Sequence, residues 1–250
     1  MKLKRYAWIY LIVWGSIICF SFCKSESEPH TSDAGPSVLV FSKTTGFRHD
    51  SIEKGAETIK ELGKQEGFAV EHTEDASVFS EDRLKQYKAI IFLSTTGDIL
   101  NDDQQQAFEH YIQQGGGFVG VHAAADTEYD WPWYNKLVGA WFLSHPKQQD
   151  ATIMVLDKSH PSTEHLADSW RRWDEWYNYK DINAEVKVLM KLDESSYTGG
   201  ENGANHPIAW YHDFDGGRAF YTGLGHTKES YDEPDFRKHL LGGIVYAMGQ

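Results

Sequence analysis

Apolar positions fall in short runs separated by polar segments punctuated with glycine. In the run Ala89–Leu93 every residue is apolar, which predicts a strand buried on both faces. It sits within 87–98, the third of four such runs in the first half of the chain. The others are 38–44 (VLVFSKT), the alternating 68–75 (FAVEHTED) and 118–122 (FVGVH). Between the first two runs the spacing predicts a helix capped by Asp50 or Ser51 and ended by Gly67. Between the last two it predicts a helix capped by Asn101 or Asp102 and stopped by Gly115–Gly117. Strands alternating with helices at this spacing imply βαβ crossovers and a parallel sheet.

The second half is less regular. Strands are expected at 151–157, 185–193, 206–214 and 217–225, with a tight hairpin at Asp215-Gly216-Gly217 and a closing helix over 233–249. These strands predict antiparallel additions at the edge of the sheet. The segment WRRWDEWYNY (170–179) spaces Trp170, Trp173 and Tyr177 at three and four, which makes one face aromatic if it is helical.

Composition adds a different element at the start. Residues 1–23 combine Lys2, Lys4 and Arg5 with an apolar run that ends at Cys23, the layout of a secretory signal. A polar tether is expected over 24–37 and one folded domain over 38–250. Cys23 followed by Lys24-Ser25-Glu26 resembles a bacterial lipoprotein cleavage site. This implies an exported periplasmic or outer-membrane lipoprotein that touches a membrane only through a lipid anchor. A plain secreted form or a retained membrane anchor are the alternatives. Cys19 and Cys23 are the only cysteines, so the rest of the chain has no thiolate nucleophile, disulfide or thiolate metal ligand. The formal charge is −13 with 24 basic and 37 acidic residues. Removing the signal leaves 21 against 37, or −16. Such a field argues against a nucleic-acid partner and favours a neutral or cationic substrate.

Ligands of open parallel sheets bind past the carboxyl ends of the strands. Residues 42–49, 94–98 and 122–129 follow three such ends and should share a crevice. His122 stands at one stop, followed by small residues Ala123–Ala125 that should leave its imidazole uncovered. It is a candidate acid/base group or metal ligand. Asp126, four residues on, would share its face in a helical turn and orient it or bind hydroxyls. The pair Asp174-Glu175 stands beside Trp176, and a carboxylate against aromatics could have a raised pKa and act as an acid; Glu175 is the catalytic candidate. His226 follows the last strand and completes the catalytic candidates. Arg48, His49, Tyr129, Trp131, His145 and Trp176 are candidates for holding the substrate, because guanidinium forks, imidazoles and aromatic faces suit sugar rings. Several histidines with Asp126 or Glu175 could hold a divalent cation, zinc above all, although no H-E-x-x-H spacing occurs.

The motifs GFRHDSI, GGGFVGVHAAADTEYDWPWYNKLVGAWFLSHP, HPSTEHL, RRWDEWYNY and HPIAWYHDFDGGRAFYTGLGHTKESY resemble, in this order, the trehalose-utilisation (ThuA-like) family. The resemblance runs from about Val38 to the end of the chain. It implies a fold similar to class I glutamine amidotransferases: an α/β, flavodoxin-like three-layer sandwich with a mainly parallel sheet. It also implies a role in carbohydrate catabolism, on a disaccharide, glycoside or keto-sugar. In those amidotransferases the corresponding elbow carries a nucleophilic Cys. Here His122 stands there and no G-x-S-x-G replaces it, which argues against glutaminase and serine-hydrolase chemistry. A non-catalytic sugar-binding or partner-docking lipoprotein is the alternative to an enzyme.

Overall fold

The computed structural model describes residues 35–250. The expected signal, Cys23 and most of the tether therefore lie outside the described residues. The first strand, β1 (Ser37–Phe41), begins within the span read as tether and ends before Lys43. Helix α1 (Ile52–Glu66) ends at Gly67, whose left-handed backbone closes the last turn. Strand β2 (Ala69–Thr73), the single-turn helix α2 (Glu81–Leu84) and strand β3 (Ala89–Leu93) follow. Helix α3 (Asp102–Gln113) starts with a capping box: the Asn101 side chain accepts from Gln104 N–H, and the Gln104 side chain returns to Asn101 N–H. Strand β4 (Gly117–Val121) and helix α4 (Pro132–Val138) complete the first half.

The second half contains β5 (Trp141–Ser144), β6 (Gln149–Val155), β7 (Ser169–Asp174), β8 (Asn178–Lys180), β9 (Lys187–Asp193), β10 (His206–Phe214), β11 (Gly217–Thr222) and α5 (Pro234–Met248). Two differences from the sequence reading matter. The WRRWDEWYNY segment is not helical but forms β7 and β8, because Arg172 and Asp174 point inward while Arg171 and Trp173 point out. Strand β11 stops at Thr222 rather than 225, which frees Gly223–His226 to turn into a loop.

The main sheet has nine strands in the order β2-β1-β3-β4-β11-β10-β9-β6-β7. Strands β2, β1, β3, β4 and β11 run parallel; β10, β9, β6 and β7 are added antiparallel on one side. Strand β5 pairs separately with β8. Phe92 and Phe118 project from one face of the sheet, where Phe108 of α3 and Tyr134 of α4 pack on them. Phe220 projects from the other face, under α5. Helix α1 packs beside α5. The result is a three-layer α/β sandwich with a parallel centre and antiparallel edge strands. Among the described residues no helix is long and apolar enough to cross a membrane.

Helix α5 approaches the sheet closely because Gly243 has no side chain. A Cβ there would lie 2.2 Å from the Phe220 ring, which is itself buried. Gly243→Val should therefore destabilise the fold by about 1–3 kcal/mol or more through overpacking, read as a lower midpoint in thermal or urea unfolding. Gly203→Ala, at a turn with open space around it, should cost less even though its backbone is left-handed.

Candidate active site

Strand β4 delivers His122 to the carboxyl edge of the sheet, and the backbone there turns sharply. His122 has φ of 49°, a left-handed conformation that costs a non-glycine residue about 1–3 kcal/mol. A 3₁₀ turn follows over His122–Ala125. The strained turn is held from both sides. Tyr221 O–H donates to the His122 carbonyl at 2.8 Å, and His122 Nδ1–H donates to the Gly223 carbonyl at 3.0 Å. The second bond fixes the ring: neutral His122 carries its proton on Nδ1, so Nε2 presents a lone pair.

That lone pair faces a compact polar centre. His122 Nε2 lies 3.0 Å from His226 Nδ1 and 3.4 Å from Glu175 Oε2. His226 Nδ1 is 3.1 Å from the same carboxylate oxygen. The His49 ring stands edge-on to both imidazoles, with centroids 4.8 and 5.1 Å away. One ligand atom from each of His49, His122, Glu175 and His226 falls within 4.8 Å of the others, so these four residues could hold a metal ion. Tyr177 covers His122 with its ring at 4.3 Å. The imidazole expected to be uncovered is fully buried, because Ala123–Ala125 pack inward while His49, Tyr177 and His226 close over it.

Two peptide segments are locked together beneath this centre by Asp174, itself fully buried. Its Oδ1 accepts from Glu175 N–H at 2.9 Å and His226 N–H at 3.2 Å. Its Oδ2 accepts from Gly225 N–H at 3.0 Å and lies 3.1 Å from Arg172 Nη1. Gly225 has φ of 99°, and a Cβ there would press on Phe236, Tyr231 and Val121, so only glycine fits the turn.

Electrostatics follow from burial and these contacts. Burial, reinforced by the neighbouring imidazoles, pushes His49 down to about 2. Burial alone would raise the Glu175 carboxyl, but the His122 and His226 imidazoles beside it outweigh burial and hold the group well below the usual carboxylate range. This corrects the expectation of a raised, acid-like Glu175: imidazoles, not aromatics, dominate its surroundings. For His226, burial works against the charged form, yet the bond to Glu175 prevails and raises its pKa.

The remaining candidates divide into two groups. His145 is half-exposed, with Nδ1 3.2 Å from Glu175 Oε1. Asp126 is half-buried and accepts from Tyr129 O–H at 2.6 Å; burial raises its carboxyl despite that bond. Asp126 makes no hydrogen bond to His122, so the Gly223 carbonyl orients the imidazole instead. Asp126, Tyr129 and His145 thus form a polar rim around the centre.

The other three sit elsewhere. Trp176 is fully buried, its indole N–H donating to the Gln149 carbonyl, and Trp131 stacks on Trp133 while donating to Glu109. Both belong to packing rather than to a sugar-facing surface. Arg48 points outward into ion pairs with Glu53 and Glu74 at 2.6 and 2.8 Å. Sequence reasoning missed Gly223 and Gln148, whose amide lies 2.7 Å from His226 Nε2. Asp174 was singled out with Glu175 as a candidate acid, but it accepts backbone N–H groups instead.

A ThuA-like protein from Bacteroides uniformis is 26% identical, covering 88% of this chain and 95% of its own, with a TM-score of 0.74. A ThuA-like protein from Parabacteroides merdae is 21% identical, covering 85% and 90%, with a TM-score of 0.72. PurLQS from Thermotoga maritima shares the fold at 10% identity, covering 84% and 98%, with a TM-score of 0.53. Its likeness reflects the glutamine amidotransferase-like architecture of the sandwich. Among curated proteins none matches the chain. The family model described as ThuA, trehalose utilisation, matches residues 37–247, and the chain belongs to that family.

Proposed function

We propose that the protein is an enzyme of carbohydrate catabolism that acts on a disaccharide, glycoside or keto-sugar at the His122–Glu175–His226 centre. The observation that carries this reading is the convergence of buried imidazoles and one carboxylate past the carboxyl ends of the parallel strands. Membership of a trehalose-utilisation family supports the substrate class. His122 takes the position that a nucleophilic Cys holds in class I amidotransferases. Its Nε2 lone pair suits proton transfer or coordination rather than acyl transfer.

Asp126, Tyr129 and His145 form the rim that binds sugar hydroxyls. A carboxylate, a phenol and an imidazole offer both donors and acceptors, which a neutral polyol requires. The net negative charge of the chain accords with an uncharged substrate. The N-terminal sequence supports export and attachment to the envelope through a lipid on Cys23.

Two outcomes are expected. The purified full chain, incubated with a panel of glucosides, disaccharides and their 3-keto derivatives, should convert at least one. His122→Ala should lower kcat/KM on it by about 100-fold or more. Turnover unchanged by His122→Ala would remove this centre from the chemistry, and no turnover across the panel would favour a sugar-binding role. Cys23→Ser, expressed in a bacterial host, should abolish acyl labelling that the unaltered chain shows.

A further inference from the structure

We propose that His49, His122, His226 and Glu175 form a mononuclear site for a divalent transition metal of the zinc type. The assignment deepens the reading above by naming a cofactor for the same centre, and it rests on that reading for its chemical role. It moves His49 from substrate contact to ligand.

The spacing is the first argument. Ligands at about 2.0–2.1 Å from a tetrahedral zinc ion stand roughly 3.3–3.4 Å apart. The separations among His122 Nε2, His226 Nδ1 and Glu175 Oε2 are 3.0, 3.1 and 3.4 Å. Three donor atoms already stand near the corners of such a tetrahedron, and His49 supplies the fourth ligand group.

Unsatisfied groups are the second argument. In the neutral ring whose Nδ1–H goes to Gly223, His122 Nε2 and Glu175 Oε2 are both acceptors, and they face each other with only the His226 Nδ1 proton available to share. His49 Nδ1 is buried and has no hydrogen-bond partner. Buried acceptors left facing one another are costly. Among the described residues no lysine or arginine pairs with Glu175; its ion-pair partners are His122, His145 and His226. A dication at the middle would balance the carboxylate and satisfy the lone pairs together.

The outer contacts are the third argument. Ligating histidines donate their second ring N–H to an oxygen, which fixes ring and tautomer. His122 does so to the Gly223 carbonyl. His226 Nε2 meets the Gln148 amide at 2.7 Å, and rotating that amide by half a turn presents its oxygen to an Nε2–H. The resulting tautomer leaves Nδ1 as the ligand. An all-nitrogen-and-oxygen set without thiolate suits zinc, manganese, iron, cobalt or nickel. In the proposed chemistry the ion would polarise a sugar oxygen or acidify a bound water.

The test reads the ion directly. The purified full chain, stripped with a chelator, is titrated with Zn²⁺ by calorimetry, and with Co²⁺ followed by its visible spectrum. One Zn²⁺ per chain is expected, with d–d bands from a nitrogen- and oxygen-ligated Co²⁺. His49→Ala and Glu175→Gln should each weaken Zn²⁺ at least 10-fold, while His110→Ala, at an exposed distant histidine, should not. Folding of each variant is checked by circular dichroism. The Co²⁺ spectrum and Zn²⁺-dependent thermal shift of the unaltered protein stand without any variant. Absence of stoichiometric binding, or binding undiminished in both ligand variants, overturns the site. Sugar turnover by metal-free protein would overturn the cofactor and leave the enzyme; Zn²⁺ binding without turnover on any sugar would do the reverse.

Discussion

The buried carboxylate of Asp174 is the contact on which the centre depends. It accepts from backbone N–H groups on two segments far apart in sequence, at Glu175 and at Gly225–His226, and is balanced by Arg172. Arg172 is itself buried, between Trp170 and Phe236, and reaches Ser230 and Glu233. Removing one member of a buried ion pair costs about 3–5 kcal/mol, because the other charge stays desolvated. Energy of that size fixes the relative placement of the strand β7 terminus and the loop after β11. Glu175 and His226 face each other because their backbones share this one acceptor.

Strain at the elbow complements that anchor. The left-handed backbone at His122 is disfavoured in isolation, yet Tyr221 holds its carbonyl and Gly223 holds its ring by hydrogen bonds. The bond to Gly223 also aims Nε2 at Glu175 and His226. Position and tautomer are therefore set by a single local arrangement rather than by separate devices.

Much of the scaffold was legible in the sequence. The uniform apolar run at Ala89–Leu93, the stop at Gly67 and the cap at Asn101 each act locally, so pattern alone finds them. The segment 169–174 was not legible, because its inward positions are Arg172 and Asp174. Period-two burial is invisible to a hydrophobicity pattern when the buried side chains are charged, and the tryptophans at three-residue spacing mimic a helix. At the site, strand ends pointed to His49, His122 and His226 one at a time. Their meeting with Glu175 depends on strand order, which brings β1, β4 and β11 to one edge through β3 and sets Glu175 beyond β7. Trp131 and Trp176 misled for the opposite reason: aromatics beside polar residues are equally the composition of a packed core.

The strand order has a consequence for how the chain reaches its final state. His49 and His122 belong to the parallel half, while Glu175 and His226 arrive with the antiparallel additions and the last parallel strand. Closing the centre thus brings together positions 49 and 226, which lie 177 residues apart. Contacts of such high sequence separation form late and slowly in folding. A nascent or partly assembled chain has no complete set of these four side chains, so the centre does not exist until β7 and β11 have joined the sheet.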